Sequence, residues 1–172
     1  MWIKDIQHLD HLKNFIIENL TYQEDTGYNF LGVYPGIMIS DVPIILGIPN
    51  SKNLEKEQQQ TLYYYASINH PTKGTVDFNK LSFLIWAFNN KPVSILKLHI
   101  VYFDTGEDAE AHKVFVHDLI KGLIMKFGKP IKKSLRNGKE RLLYQIGYSE
   151  LHLWQSSDGL RIQIKKKSSK VR

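Results

Sequence analysis

The sequence predicts an α+β fold: antiparallel sheet with helices packed on one face, arranged as two degenerate helix-plus-β-meander repeats. Three observations point there. Several stretches alternate apolar and polar residues with the period of two that a half-covered strand requires. Two amphipathic segments carry the three- and four-residue spacing of helices, and each ends in glycine, one spacer and proline. After each ending come three strand candidates, with the glycines Gly47 and Gly128 an offset of 81 residues apart.

The first element is predicted as a helix, with Ile6, Leu9, Leu12, Ile16 and Leu20 forming its stripe and Asp5 as its cap. Thr21 to Gly27 is polar and reads as a loop, and Tyr28–Pro35 as a short strand or extended link. A two-turn helix follows, with Ser40 as cap, Pro43 in the first turn, Gly47 as the left-handed stop and Pro49 beyond it. Residues 50–60 are polar and glutamine-rich and read as a mobile loop, with a short helix as the alternative. Leu62–Ile68, Leu81–Phe88 and Ser94–Phe103 are the first three strands. Thr105 and Asp108 have the spacing of a capping box before a long helix, whose ridge is Phe115, Leu119 and Leu123, broadened by Val116, Ile120 and Phe127. Gly128 and Pro130 end it.

Asn137-Gly138 then joins Ile131–Arg136 to Lys139–Ile146, because both residues of a tight hairpin turn must accept positive φ. Glu150–Trp154 and Leu160–Lys165 complete the second meander, and residues 166–172 read as a disordered tail. The expectation is one domain over residues 1–172, with repeats over 36–103 and 112–165. The alternative is that two helix endings of a common type recur by chance.

These phrases resemble the tandem helix-plus-meander repeats of the β-lactamase-inhibitor-like group. The residues that carry the resemblance are Gly36, Val42, Leu46, Gly47 and Pro49 in the first copy, and Phe127, Gly128 and Pro130 in the second. The resemblance implies a sheet surface presented to a protein partner and no catalytic residues.

Composition narrows the function. The chain has 172 residues and no cysteine, which excludes disulfides and thiol chemistry. No apolar run approaches the about 20 residues of a membrane helix. Lys4, Asp5, His8 and Asp10 interrupt the region where a signal peptide needs an apolar core, so the expectation is a cytoplasmic protein with no membrane association. No phosphate-cradling glycine loop and no nucleophile elbow occurs. His8 and His11 stand one helical turn apart without an evident third ligand, so no metal, cofactor or catalytic group is expected.

Charge is divided along the chain. Residues 1–118 hold 9 basic and 14 acidic side chains, whereas residues 119–172 hold 14 basic and 3 acidic. A cationic region of this kind attracts an acidic partner and accelerates encounter with it. The partner-binding residues predicted from sequence are therefore Lys132, Lys133, Arg136, Lys139, Arg141, Arg161 and Lys165, with Tyr144 and Trp154 among them and Tyr63 and Tyr65 on an earlier strand. The function expected is a non-catalytic protein-binding module, most concretely an immunity or inhibitor protein that neutralises a partner toxin or enzyme. It is similar in type to bacterial toxin-immunity proteins. The alternative is a nucleic-acid-binding protein or small nuclease using the basic face. A small-molecule enzyme with a histidine or carboxylate base is the third class. The oligomeric state is open.

Overall fold

The structure is a computed structural model that describes residues 2–54, 59–70, 74–88, 91–101, 109–156 and 159–167. It is α+β, with a nine-stranded, mostly antiparallel sheet and a separate two-stranded hairpin among the described residues. The elements in order are β1 (Asp5–Ile6), α1 (Leu9–Asn19), β2 (Leu20–Gln23), β3 (Gly27–Phe30) and a 3-10 turn at Ile39–Asp41 that leads into α2 (Val42–Leu46). Then come β4 (Ser51–Leu54), β5 (Gln59–His70), β6 (Gly74–Phe88) and β7 (Val93–Val101). α3 (Ala109–Phe127) is followed by β8 (Lys132–Arg136), β9 (Lys139–Ile146), β10 (Ser149–Ser156) and β11 (Gly159–Lys166).

The strand order is β5-β6-β7-β11-β10-β9-β8, with β1 and β4 both paired to the outer edge of β5. Two antiparallel meanders thus lie back to back, joined along the β7–β11 pair from Gly159↔Val101 to Lys165↔Ile95. The two halves repeat one device. Tyr64 donates its hydroxyl to the Gly47 carbonyl at 2.8 Å, and Tyr144 donates to the Gly128 carbonyl at 2.8 Å. In each case a strand tyrosine satisfies a carbonyl at the end of the preceding helix, where the helix itself offers no partner. Both glycines have positive φ, 90° at Gly47 and 80° at Gly128.

One face of the sheet is covered. Leu62, Tyr64, Ala66 and Ile68 of β5 and Leu81, Phe83, Ile85 and Ala87 of β6 are buried at alternate positions, as the pleat dictates. Leu96, Leu98 and Ile100 of β7 and Leu160, Ile162 and Ile164 of β11 continue the same layer. Helices α1 and α3 supply its lid through Leu12, Ile16, Phe115, Leu119 and Leu123. They approach closely at Gly122, where an added Cβ would collide with the Ile17 side chain. Trp2, Phe15, Phe30 and Phe83 interlock, with ring centroids 5.1 Å apart for Phe30 and Phe83 and 5.9 Å for Trp2 and Phe83.

Several local expectations are corrected. Asp5 and Ile6 do not open the first helix; they pair in parallel with Ser67 and Ile68, so tertiary pairing overrides the helical spacing. The helix begins at Leu9, and its cap is His8, whose Nδ1 accepts the His11 N–H at 3.0 Å. The His11 Nδ1 in turn accepts the Gln7 N–H at 3.2 Å. The first bond is that of a capping box with an imidazole in place of a hydroxyl; the second reaches the N–H of the residue before the cap rather than that of the cap itself. Leu20–Gln23 is a strand where Thr21 to Gly27 reads as a loop; it forms a hairpin with Gly27–Phe30, at the start of the stretch read as a short strand or extended link, and β3 is buried throughout. Its Tyr28 N–H is held by the Ser149 hydroxyl at 2.9 Å, which ties the hairpin to β10. Asp41 rather than Ser40 precedes the short helix, without a side-chain cap. Residues 51–54 are the strand β4 rather than loop, and Lys166 belongs to β11 rather than to the tail. The Thr105–Asp108 capping box lies outside the described residues.

Candidate sheet-face interface

The other face of the sheet carries no helix among the described residues, and strand register places its side chains in rows. One row runs Tyr63, Leu84, Lys97, Gln163, His152, Leu143, Lys132, from β5 across to β8. The next runs Tyr65, Ser82, His99, Arg161, Trp154, Arg141, Ser134. A third, on the other side of the first, runs Thr61, Trp86, Ile95, Lys165, Glu150, Gln145. Arg136 and Lys139 face each other at the β8–β9 turn with the same parity as Lys132 and Arg141. Asn137 and Gly138 close that turn with φ of 52° and 73°, as the Asn-Gly pair predicts.

Nine of the eleven residues predicted from sequence therefore share this face, although they come from five strands: Tyr63, Tyr65, Lys132, Arg136, Lys139, Arg141, Trp154, Arg161 and Lys165. Two do not. Tyr144 points into the core, is 5% exposed, packs on Phe127 and holds the Gly128 carbonyl; burial raises its hydroxyl above the ordinary range. It is a strut, not a contact. Lys133 pairs with Leu142 and so belongs to the helix-bearing side, where it is exposed at the rim. A one-residue step in a strand reverses the face, which is why neighbours such as Lys132 and Lys133 part company.

Hollows open along the face. One, of about 420 Å³, is walled by Lys132, Arg141, His152, Trp154 and Lys165 over Leu143 and Gln163. Another, of about 230 Å³, is walled by Leu84, Lys97, His99, Trp154 and Arg161. Trp154 belongs to both of these. A further hollow, of about 390 Å³, lies at the end of the face beside Ile95, Glu150, Lys165 and Lys167. The cross-strand neighbours of Trp154 are Arg161 on one side and Arg141 on the other, so cations flank the indole on both sides. Glu150 is a carboxylate on this face. It is 8% exposed, lies 3.2 Å from His152 Nε2 and stands opposite Lys165. Toward β5, Tyr63 and Tyr65 stack with centroids 6.2 Å apart, and the Lys80 ammonium sits 5.7 Å from the Tyr65 ring centre.

Sequence reasoning missed Lys97, His152, Leu84 and Leu143 as walls of the hollows. His152 and Leu143 share strand parity with Trp154 and Arg141, whereas Leu84 and Lys97 lie on strands without a predicted contact and join the rest only through the β7–β11 register. Among the described residues no three histidine or carboxylate groups converge as a metal site. No helix there is long and apolar enough to cross a membrane.

No protein-family model matches the chain. No curated protein matches it either. Among solved structures it is similar to a DUF4309 family protein (YjgB) from Bacillus subtilis subsp. subtilis str. 168. That likeness has 15% identity and a TM-score of 0.44, and covers 92% of this chain and 95% of the other.

Proposed function

We propose that the chain is a non-catalytic protein-binding module, most concretely an immunity or inhibitor protein that neutralises a partner toxin or enzyme, and that the uncovered sheet face docks on an acidic surface of that partner. The observation that carries this reading is the convergence of Lys132, Arg141, Arg161 and Lys165 with Trp154 on one continuous face. Seven strands at about 4.8 Å spacing make the face about 29 Å wide, and about six residues of each strand make it about 20 Å long. The product, about 600 Å², approaches the roughly 800 Å² per partner of stable complexes. Its chemistry favours protein over nucleic acid. Leu84, Ile95 and Leu143 lie among the cations, and aliphatic side chains offer neither a phosphate contact nor a stacking plane.

Capture from the native host tests the reading. Wild-type protein should retain one acidic protein, with an association rate that falls as salt rises. The triple variant R141E/R161E/K165E should lose it while keeping its fold. Equal retention by both proteins, or retention of nucleic acid instead, contradicts the proposal.

A further inference from the structure

β8 is the outermost strand at its end of the sheet. Among the described residues it pairs only with β9, and all five of its residues are exposed. Arg136 and Lys139 flank the Asn137-Gly138 turn, whose closing hydrogen bond makes them a bonded pair. Antiparallel pairing alternates, so Ser134 and Lys132 also bond to β9, while the N–H and C=O groups of Lys133 and Leu135 point away from it. The Leu143 carbonyl has the matching direction: it accepts the Ile131 N–H at 2.9 Å. An outward row of donors and acceptors of this kind is a template for a further strand. The Leu135 side chain, 67% exposed, stands beside that row.

β4 repeats the geometry in the first half of the chain. There the Tyr63 carbonyl accepts the Asn50 N–H at 2.9 Å, and Lys52 and Leu54 have the outward parity. The two edges differ in charge. On the uncovered face β4 presents Ser51 and Asn53, whereas β8 presents Lys132 and Arg136 with Ser134 between them. Neither cation is in an ion pair among the described residues. Glu140, the one acid of the β8–β9 hairpin, stands opposite Leu135 on the other face. Charge therefore selects the occupant. A second copy would bring the three cations of each β8 together, and pairing centred on Ser134 would set Lys132 opposite Arg136 twice, which like-charge pairing opposes.

We infer that β8 takes up an extended segment of the partner as an added strand, with acidic residues at alternate positions beside Lys132 and Arg136 and an aliphatic residue of the other parity beside Leu135. This rests on the docking reading above and names how the partner attaches. The added strand continues the uncovered face, and the Lys133 side chain, on the opposite face, takes no part.

A blocked peptide of about seven residues, alternating Glu and Val, tests it with the intact chain. It should slow amide hydrogen exchange at Lys133 and Leu135 and leave Lys52 and Leu54 unchanged. Two N-methylated forms separate strand pairing from charge, one methylated at every Val and the other at every Glu. Only one parity of an added strand donates to β8, so one form should bind at least about tenfold more weakly than the other. Sensitivity at Val reports antiparallel addition, and at Glu parallel addition. Leu135→Pro removes an N–H that β9 does not use, a change that edge strands tolerate, and should lose the peptide with the circular dichroism of wild type intact. If that variant does not fold, the methylated pair decides alone. Equal binding of the two methylated forms overturns the inference, because charge alone then holds the peptide. So does equal protection of the β4 and β8 amides, or displacement of the peptide by a short single-stranded oligonucleotide at lower concentration than by unlabelled peptide. Failure here is separable from failure of the docking reading. If R141E/R161E/K165E loses its native partner while Leu135→Pro keeps it and the methylated forms bind alike, the docking face stands and the added strand falls. If the triple variant keeps its partner, the docking reading falls first.

Discussion

Phe83 and Leu84 are adjacent in β6, yet they serve opposite sides of the sheet. Phe83 is fully buried, between Trp2 and Phe30. Leu84 is half-buried on the uncovered face beside Lys97 and Tyr63. The same alternation separates Leu153 from Trp154 in β10 and Leu142 from Arg141 in β9. One face is a core that tolerates little change in volume. The other is a cationic and aromatic surface on which a side chain can change with little effect on the fold. Stability lies with one parity of each strand, and the proposed recognition with the other.

The largest expected effect tests the stability side. Phe83→Ala should cost about 3–5 kcal/mol in urea unfolding, because the ring is wholly enclosed and its cavity cannot collapse. Leu84→Ala, one residue away, should cost under about 1 kcal/mol. Similar losses from both would erase the distinction between the faces.

Next is the seam between the meanders. Gly159 has φ of 149°, and an added Cβ would collide with the Ile100 carbonyl of β7. Gly159→Ala should therefore destabilise by about 3 kcal/mol, combining backbone strain with a contact that only movement of β7 relieves. Unchanged stability in thermal unfolding would mean that β7 and β11 are not held so closely.

Smaller effects are expected at the two helix-end tyrosines. Tyr64→Phe and Tyr144→Phe should each cost about 1 kcal/mol for the lost hydrogen bond to glycine. Their double variant should be additive, since the two bonds serve separate helix ends. Burial pushes the Tyr64 hydroxyl up to about 12 from its ordinary value of 10.0. The folded state thus holds this proton more firmly than the unfolded state. The stabilisation is intact below pH 10 and is lost as pH rises toward 12, so the advantage of wild type over Tyr64→Phe should shrink across that window. An advantage that grows with alkalinity would reverse the assignment.

The smallest effect on stability should come from R141E/R161E/K165E, whose three positions lie on the uncovered face. R141E and R161E should each change unfolding free energy by no more than about 0.5 kcal/mol, and K165E, which sets a carboxylate opposite Glu150, by up to about 1 kcal/mol.

Much of this architecture was legible because alternation and helical spacing are local signals. The strands that carry Leu96, Leu98 and Ile100 and Leu160, Ile162 and Ile164, and the ridge of α3, follow from such spacing, and the buried positions match it. Leu81–Phe88 reads as apolar on both faces and so as a covered strand, whereas its Leu84 is half-buried on the face without a helix. Elements that exist only through tertiary pairing were not legible. β1 is two residues long and depends on β5, β4 is polar and exposed throughout, and β2 is drawn from a polar stretch. The candidate interface was legible by charge, since 14 of the 23 basic side chains fall within residues 119–172. Its extent was not, because Lys97 and Leu84 join Trp154 only through the β7–β11 register. Tyr144 was misassigned for a related reason: a tyrosine among basic strand residues reads as a contact until the helix end that needs its hydroxyl is in view.

The most direct test of the central claim is partner retention by two variants of equal stability. One reverses cations on the uncovered face, R141E/R161E/K165E, and the other reverses exposed cations off that face, K121E/K133E. The account predicts that the first loses the native partner and the second keeps it. Loss by the second with retention by the first would contradict it.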